Sequence, residues 1–232
     1  MSEPRAASTR TTRPVRIAVD TGSLAGDLAV PARADGLVVF AHGSGSSRFS
    51  VRNRHVADTL DQRTLATLLI DLLTEPEEAI DQRTGHLRFD IPLLAGRLVR
   101  IAAWARRESG LHDLPIGLFG ASTGGGAALV AAAQEPQTFA AIVSRGGRPD
   151  LAGPALTRVT APTLLIVGER DEPVIELNQI AMQRMPAPVR LEIVPGATHL
   201  FEEPGALERV VELASDFFTQ HLTGTRSEKR LT

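Results

Sequence analysis

The chain has 232 residues, 43% apolar and 22% charged, with 25 basic residues against 27 acidic ones and a net charge of −2. That is the profile of a folded globular chain, and it lacks the basic excess that holds nucleic acid by its phosphates, so no nucleic-acid partner is expected. There is no Cys and no Tyr, which excludes disulfides, thiolate metal sites, cysteine nucleophiles and phenolic acids; covalent chemistry falls to Ser, Thr, Lys, His or a carboxylate.

Residues 1–14 are rich in Ser, Thr and Arg without an apolar segment, and read as a polar tail rather than a secretory leader. Residues 15–20 and 24–30 read as two strands joined at Asp20-Thr21-Gly22. Residues 36–41 (GLVVFA) form a continuous apolar run, as in a strand buried on both faces. A helical spacing of Val51, Val56 and Leu60 follows over 51–60, then a strand over 65–73. Residues 74–89 are the one long irregular stretch, too polar for core and placed to fold over the mouth of a site. A helix is expected over 91–107, with Asp90 as N-cap, Pro92 in its first turn and Gly110 beyond its end.

The alternation continues with a strand at 116–119, a small-residue helix at 124–134 and strands at 140–144 and 163–167. A helix at 174–185, a strand at 189–194 and a helix at 207–222 follow, the last turning Val210, Val211, Leu213, Ala214 and Phe217 inward. Strands alternating with crossover helices predict an α/β fold. Its mostly parallel central sheet is flanked by helices on both faces, in a single domain over 15–222 without a large cap, and residues 223–232 form a second polar tail. No apolar run approaches the ~20 residues of a membrane span. No membrane partner is expected, and the cytoplasm is the expected location. The oligomeric state is not expressed in the sequence.

The most informative segment is Ile116-Gly-Leu-Phe-Gly-Ala-Ser-Thr-Gly-Gly-Gly-Ala-Ala, which contains G-x-S-x-G as Gly120–Gly124 between a buried strand and a helix. Ser122 must stand out from a sharp strained turn, and side chains at 120 or 124 would collide with the neighbouring strand and helix. The turn also sets Ser122 at a helix N-terminus, whose positive end favours a developing oxyanion. A dinucleotide reading fails for want of G-x-G-x-x-G.

A serine hydroxyl needs a base, and the base needs a group to orient it. Where such an elbow carries the nucleophile, the acid and then the His follow it in the chain. Asp171 lies on the loop after the 163–167 strand, with Glu169 and Glu172 as alternatives. His199 lies in the loop after the 189–194 strand, placed to take the Ser122 proton and return it to the leaving group. His55, His86, His112 and His221 lack that context. Oxyanion donors are expected from the N–H of Thr123 and from the His42-Gly43-Ser44-Gly45-Ser46-Ser47 loop, with Ser44 the choice within it. No Gly-Lys-Ser/Thr follows that loop, so it is not a phosphate loop, and no metal-ligand spacing such as H-E-x-x-H occurs; neither metal nor other cofactor is expected.

These residues carry a resemblance. Gly120–Gly124, Asp171, His199 and the 42–45 loop look like an α/β-hydrolase. The segments LAGDLAVPARADGLVVFAHGSGSS, GLFGASTGGGAAL and LLIVGERDEPV resemble more narrowly the small lidless group of dienelactone hydrolase, over about residues 15–222. That relative has a cysteine nucleophile where this chain has Ser122, and a carboxylate in the early loop where this chain has Gly43. The resemblance therefore implies a small-molecule ester, lactone or thioester substrate, cleaved through a Ser-His-Asp triad and an acyl-enzyme, without lactone specificity. Arg48, Arg145 and Arg148 fall on strand-end loops, where they either capture an anionic substrate group or make structural ion pairs. The rival reading keeps the fold without hydrolysis, as an acyltransferase, a cofactor-free haloperoxidase or a ligand receptor.

Overall fold

The computed structural model describes residues 10–223. Its elements in chain order are β1 (Thr11–Val19), β2 (Gly22–Val30), β3 (Gly36–Ala41), α1 (Val51–Gln62), β4 (Leu65–Ile70), α2 (Glu75–Thr84), α3 (Ile91–Ala105), β5 (Ile116–Ala121), α4 (Thr123–Gln134), β6 (Phe139–Arg145), β7 (Thr163–Gly168), α5 (Glu172–Arg184), β8 (Val189–Val194) and α6 (Ala206–Leu222). The strands form one eight-stranded sheet in the order β1-β2-β4-β3-β5-β6-β7-β8. Every pairing from β4 to β8 is parallel, and β1 and β2 add an antiparallel edge.

The apolar runs dictate this arrangement. β3, β4, β5 and β7 are buried at every residue, because each side chain of a central strand meets a helix on one face or the other. In β3, Leu37, Val39 and Ala41 join the core beneath α3 and α4, while Val38 and Phe40 join the core beneath α1 and α6. The Phe40 and Phe119 rings sit 5.0 Å apart between centroids in the second core, within the range of favourable aromatic pairs. No helix among the described residues is long and apolar enough to cross a membrane.

Two expectations are corrected. The strand expected from Val15 begins at Thr11, so residues 11–14, given to a tail, pair with Asp27–Val30 of β2; residues 1–9 and 224–232 of the expected tails lie outside the described residues. The 74–89 stretch is not irregular. It holds α2, opened by a capping box in which the Thr74 side chain accepts from Glu77 N–H and the Glu77 carboxylate accepts from Thr74 N–H, and closed by left-handed Gly85 at φ 68°. A 3-10 turn, Leu87–Phe89, follows. α2 buries only Asp81, so it has no apolar stripe for periodicity to detect. Polar anchors hold it instead: Arg97 donates to Glu77 at 2.7 Å and to Thr21 at 2.9 Å, and the Asp81 carboxylate accepts from Arg88 Nε at 2.6 Å. A second segment without an expected element, Pro149–Arg158, forms 3-10 turns kinked at Gly153.

Candidate active site

Five loops at the carboxyl ends of β3, β5, β6, β7 and β8 converge where the strand order reverses, between β3 and β5, the usual position of a site in an open α/β sheet. At its centre Ser122 leaves β5 with φ 51° and ψ −120°, a conformation that a non-glycine residue adopts only when its surroundings impose it. The imposing contacts are visible. Ser122 N–H donates to the Arg145 carbonyl at 3.2 Å, and the Ser122 carbonyl accepts from Gly125 N–H at 3.0 Å and Arg148 N–H at 3.1 Å. A Cβ on Gly120 would lie 2.5 Å from Gly125 Cα, and one on Gly124 would lie 2.1 Å from the Ala41 carbonyl oxygen. Only glycine admits the approach of α4 to β3 that this turn requires.

The loops after β7 and β8 are bound to each other. Arg170 N–H donates to the Ala197 carbonyl at 2.9 Å, Glu169 N–H to the Val194 carbonyl at 3.0 Å, and Gly196 N–H to the Glu169 carboxylate at 2.7 Å. That lacing places Asp171 Oδ2 2.6 Å from His199 Nδ1, a charge-assisted distance. Of the candidate carboxylates, then, Asp171 meets the imidazole, Glu169 caps the loop, and exposed Glu172 opens α5. With Nδ1 engaged, Nε2 is the free ring nitrogen.

Ser122 and His199 line one cavity of about 230 Å³, together with Gly43, Ser44, Ser46, Ser50, Arg52, Asn53, Ala121, Arg145 and Leu200. No hydrogen bond joins the Ser122 hydroxyl to His199 among the described residues. Such contacts commonly form only when a substrate arrives. Thr123 N–H heads α4 with no acceptor among the described residues. Ser44 N–H does have one, donating to Thr123 Oγ1 at 2.9 Å, so the two expected oxyanion donors are adjacent but one is engaged by the other's side chain. His42, passed over by sequence reasoning, holds this loop: Nε2 accepts from Leu72 N–H at 3.3 Å, which leaves Nδ1 to donate to the Gly43 carbonyl at 3.0 Å.

The three arginines part company. Arg48 is bound to Asp71 through its backbone N–H, at 2.7 Å, and through its guanidinium; it faces a separate cavity between β2 and α2. Arg148 makes a two-pronged pair with Asp150 at 2.8 and 2.7 Å. Arg145 alone faces Ser122 and His199. Burial, with the Arg52 charge beside it, pushes its pKa down to about 10, so it remains a cation at neutral pH. Arg52 and Asn53 also reach the cavity and were not anticipated. They sit in the first turn of α1, where nothing in their spacing separates a site residue from a helix start. No group of three His, Asp or Glu residues placed to hold a metal occurs among the described residues.

A strained serine between strand and helix, with a His–Asp pair on the next loops, is the arrangement of the α/β-hydrolases. The chain belongs to that family: the family model described as an alpha/beta hydrolase domain matches residues 34–214. A dienelactone hydrolase from Anabaena variabilis is 57% identical, with a TM-score of 0.90, over 92% of this chain and 99% of that one. Est1E from Butyrivibrio proteoclasticus shares the fold at a TM-score of 0.75 and 17% identity, over 90% of this chain and 98% of that one. A Mycobacterium tuberculosis protein provisionally named a phosphoribosyl transferase is 55% identical over 90% of this chain; the match covers 46% of that protein, so the chain spans about half its length.

Proposed function

We propose that this chain is a serine hydrolase that cleaves a small ester, lactone or thioester through an acyl-enzyme. The observation that carries the reading is the 2.6 Å contact of His199 with Asp171 in a loop facing the same cavity as strained Ser122. Asp171 holds the imidazole with Nε2 toward the serine and stabilises the imidazolium that forms. His199 takes the hydroxyl proton as Ser122 Oγ bonds to the carbonyl carbon, then gives it to the departing alkoxide or thiolate. Water, deprotonated by the same His199, cleaves the acyl-serine and restores the free enzyme.

The carbonyl oxygen becomes an anion at the N-terminus of α4. There Thr123 N–H is the open donor, and Ser44 N–H becomes the second once it turns from Thr123 Oγ1. The phosphoribosyl transferase name belongs to proteins about twice this chain's length, of which the match covers 46%.

The experiment is p-nitrophenyl acetate turnover by the purified protein, with a burst of p-nitrophenol matching the enzyme concentration. S122A loses about 10⁴–10⁶ in rate with its thermal melting retained, and a serine-directed phosphonate labels Ser122. A folded S122A with undiminished turnover overturns the reading, and an unlabelled Ser122 supports a receptor instead.

A further inference from the structure

Arg145 is the anomaly of the cavity. Its residue is 7% exposed, yet its guanidinium makes no hydrogen bond and no ion pair to any described residue, and its Nε is buried without a partner. Arg48, Arg88, Arg97 and Arg148 are all matched by carboxylates. The guanidinium carbon of Arg145 lies 5.7 Å from the centroid of the Phe201 ring, a cation–π contact. Two neighbours share the deficit: Arg52 Nε and Asn53 Oδ1 are also buried and unpartnered, and Asn53 is 2% exposed. A buried polar group left unmatched costs stability, and a buried charge costs more. Three such groups on one cavity wall describe a site whose complement comes with a ligand.

The charges define that ligand. Arg52 is paired with Glu202 at 3.0 Å. Asp171 keeps its negative charge beside the uncharged base form of His199 but is turned to the imidazole, and Arg145 is the one cation of this cavity with no carboxylate at ion-pair distance among the described residues. A monoanion matches it, and a guanidinium fork favours a planar carboxylate. The Arg145 carbonyl accepts the Ser122 N–H, so the residue is fixed directly to the nucleophile's own backbone while it lines the same cavity. The cavity of about 230 Å³ has room for a small acyl group beside the serine.

Building on the hydrolase reading, we propose that Arg145, flanked by Arg52 and Asn53, is a carboxylate subsite, and that the preferred substrates are half-esters of small dicarboxylic acids, whose free carboxylate it receives. Hydrolysis of such an ester breaks the acyl–oxygen bond at the other end and leaves this carboxylate unchanged.

The test compares 4-nitrophenyl hemisuccinate with its neutral counterpart 4-nitrophenyl butyrate. The wild-type ratio of kcat/KM, anionic over neutral, exceeds tenfold after division by the ratio of their spontaneous hydrolysis rates. In R145M that ratio falls to near one, mainly through KM for the anionic ester, and R145K retains part of it. Because R145M removes an unmatched buried cation, its melting temperature is at or above that of the wild type, which a merely structural arginine would not give. Succinate raises the melting temperature of S122A but not of S122A/R145M, whereas neutral succinamide raises neither. A wild-type ratio near one, or a ratio unchanged in both R145M and R145K, overturns the subsite while the hydrolase stands. If neither ester is turned over and succinate still stabilises S122A through Arg145, the hydrolase reading fails and the subsite stands. If succinate has no effect on S122A, the subsite fails.

Discussion

Substituting Gly124 by Ala tests the claim that the elbow is held by contact rather than by sequence habit. The added Cβ would lie 2.1 Å from the Ala41 carbonyl oxygen and 2.7 Å from both the Ala41 carbonyl carbon and the His42 carbonyl oxygen. All of these are backbone atoms, so no side chain can swing aside. Relief requires α4 or the end of β3 to move by about 1 Å, since a carbon and a carbonyl oxygen rest at about 3.3 Å or more. Overpacking a tight core costs about 1–3 kcal/mol, and a clash wholly with backbone belongs at or beyond the top of that range. For a chain of this size about 3 kcal/mol lowers the melting temperature by roughly 6–12 °C.

The same shift moves the Ser44 loop away from Ser122, so p-nitrophenyl acetate turnover falls by about 10²-fold or more, the cost of a 1 Å misplacement. Gly96→Ala is the control. Gly96 lies inside α3, and its added Cβ meets nothing within 4 Å, so helix propensity alone gains about 0.5–1 kcal/mol. Calorimetry on both variants decides the matter. A G124A protein that melts with the wild type and keeps its activity would refute the argument from close approach.

Three further outcomes follow from the site and its surroundings. Asp171→Asn lowers the esterase rate by about 10⁴-fold, because the amide favours the wrong imidazole tautomer. Glu169→Gln, which loosens only a loop cap, costs under tenfold, and equal losses in steady-state assays would contradict the assignment of the acid. Asp81 gives a pH dependence: burial alone would raise its pKa, but donation from the Arg88 and Leu87 backbone and from the Arg88 guanidinium outweighs it and holds the carboxyl below 3.8. Its stabilisation is therefore complete above pH 3.8 and disappears as the pH falls through the depressed folded value. Asp81→Asn should lose about 1–3 kcal/mol at neutral pH, and urea titrations should show that gap closing as the pH falls below 3.8; a gap independent of pH would contradict it.

Much of this was legible beforehand. The runs at 36–41 and 163–167 are strands because central parallel strands need apolar side chains on both faces, and the edge strand at 189–194 shows itself by alternating Val189, Leu191 and Ile193 with Arg190 and Glu192; both requirements are written locally. Ser122, Asp171 and His199 were legible for a related reason: each follows a strand, and strand order fixes where strand ends meet. What escaped notice depends on contacts distant in sequence. α2 owes its place to Arg97 and Thr21 rather than to an apolar stripe. Arg48, Arg145 and Arg148 look alike as residues on loops, and only the position of Asp71 and Asp150 separates two paired cations from the unpaired one. The engagement of Ser44 N–H by Thr123 Oγ1 is likewise invisible until the β3 and β5 loops are brought together.

The glycines of the elbow carry a consequence for how this protein can change. Gly120 and Gly124 each face backbone at under 3 Å, as does Gly168 at the end of β7 against the Ala197 and Thr198 carbonyls, so the frame around the nucleophile and the His199 loop is closed to variation. By contrast Arg52, Asn53 and Leu200 project into the cavity from α1 and from the loop after β8, where no such constraint operates. New substrate preferences, by drift or by directed evolution, would be acquired at those positions, with the residues of the elbow inherited unaltered.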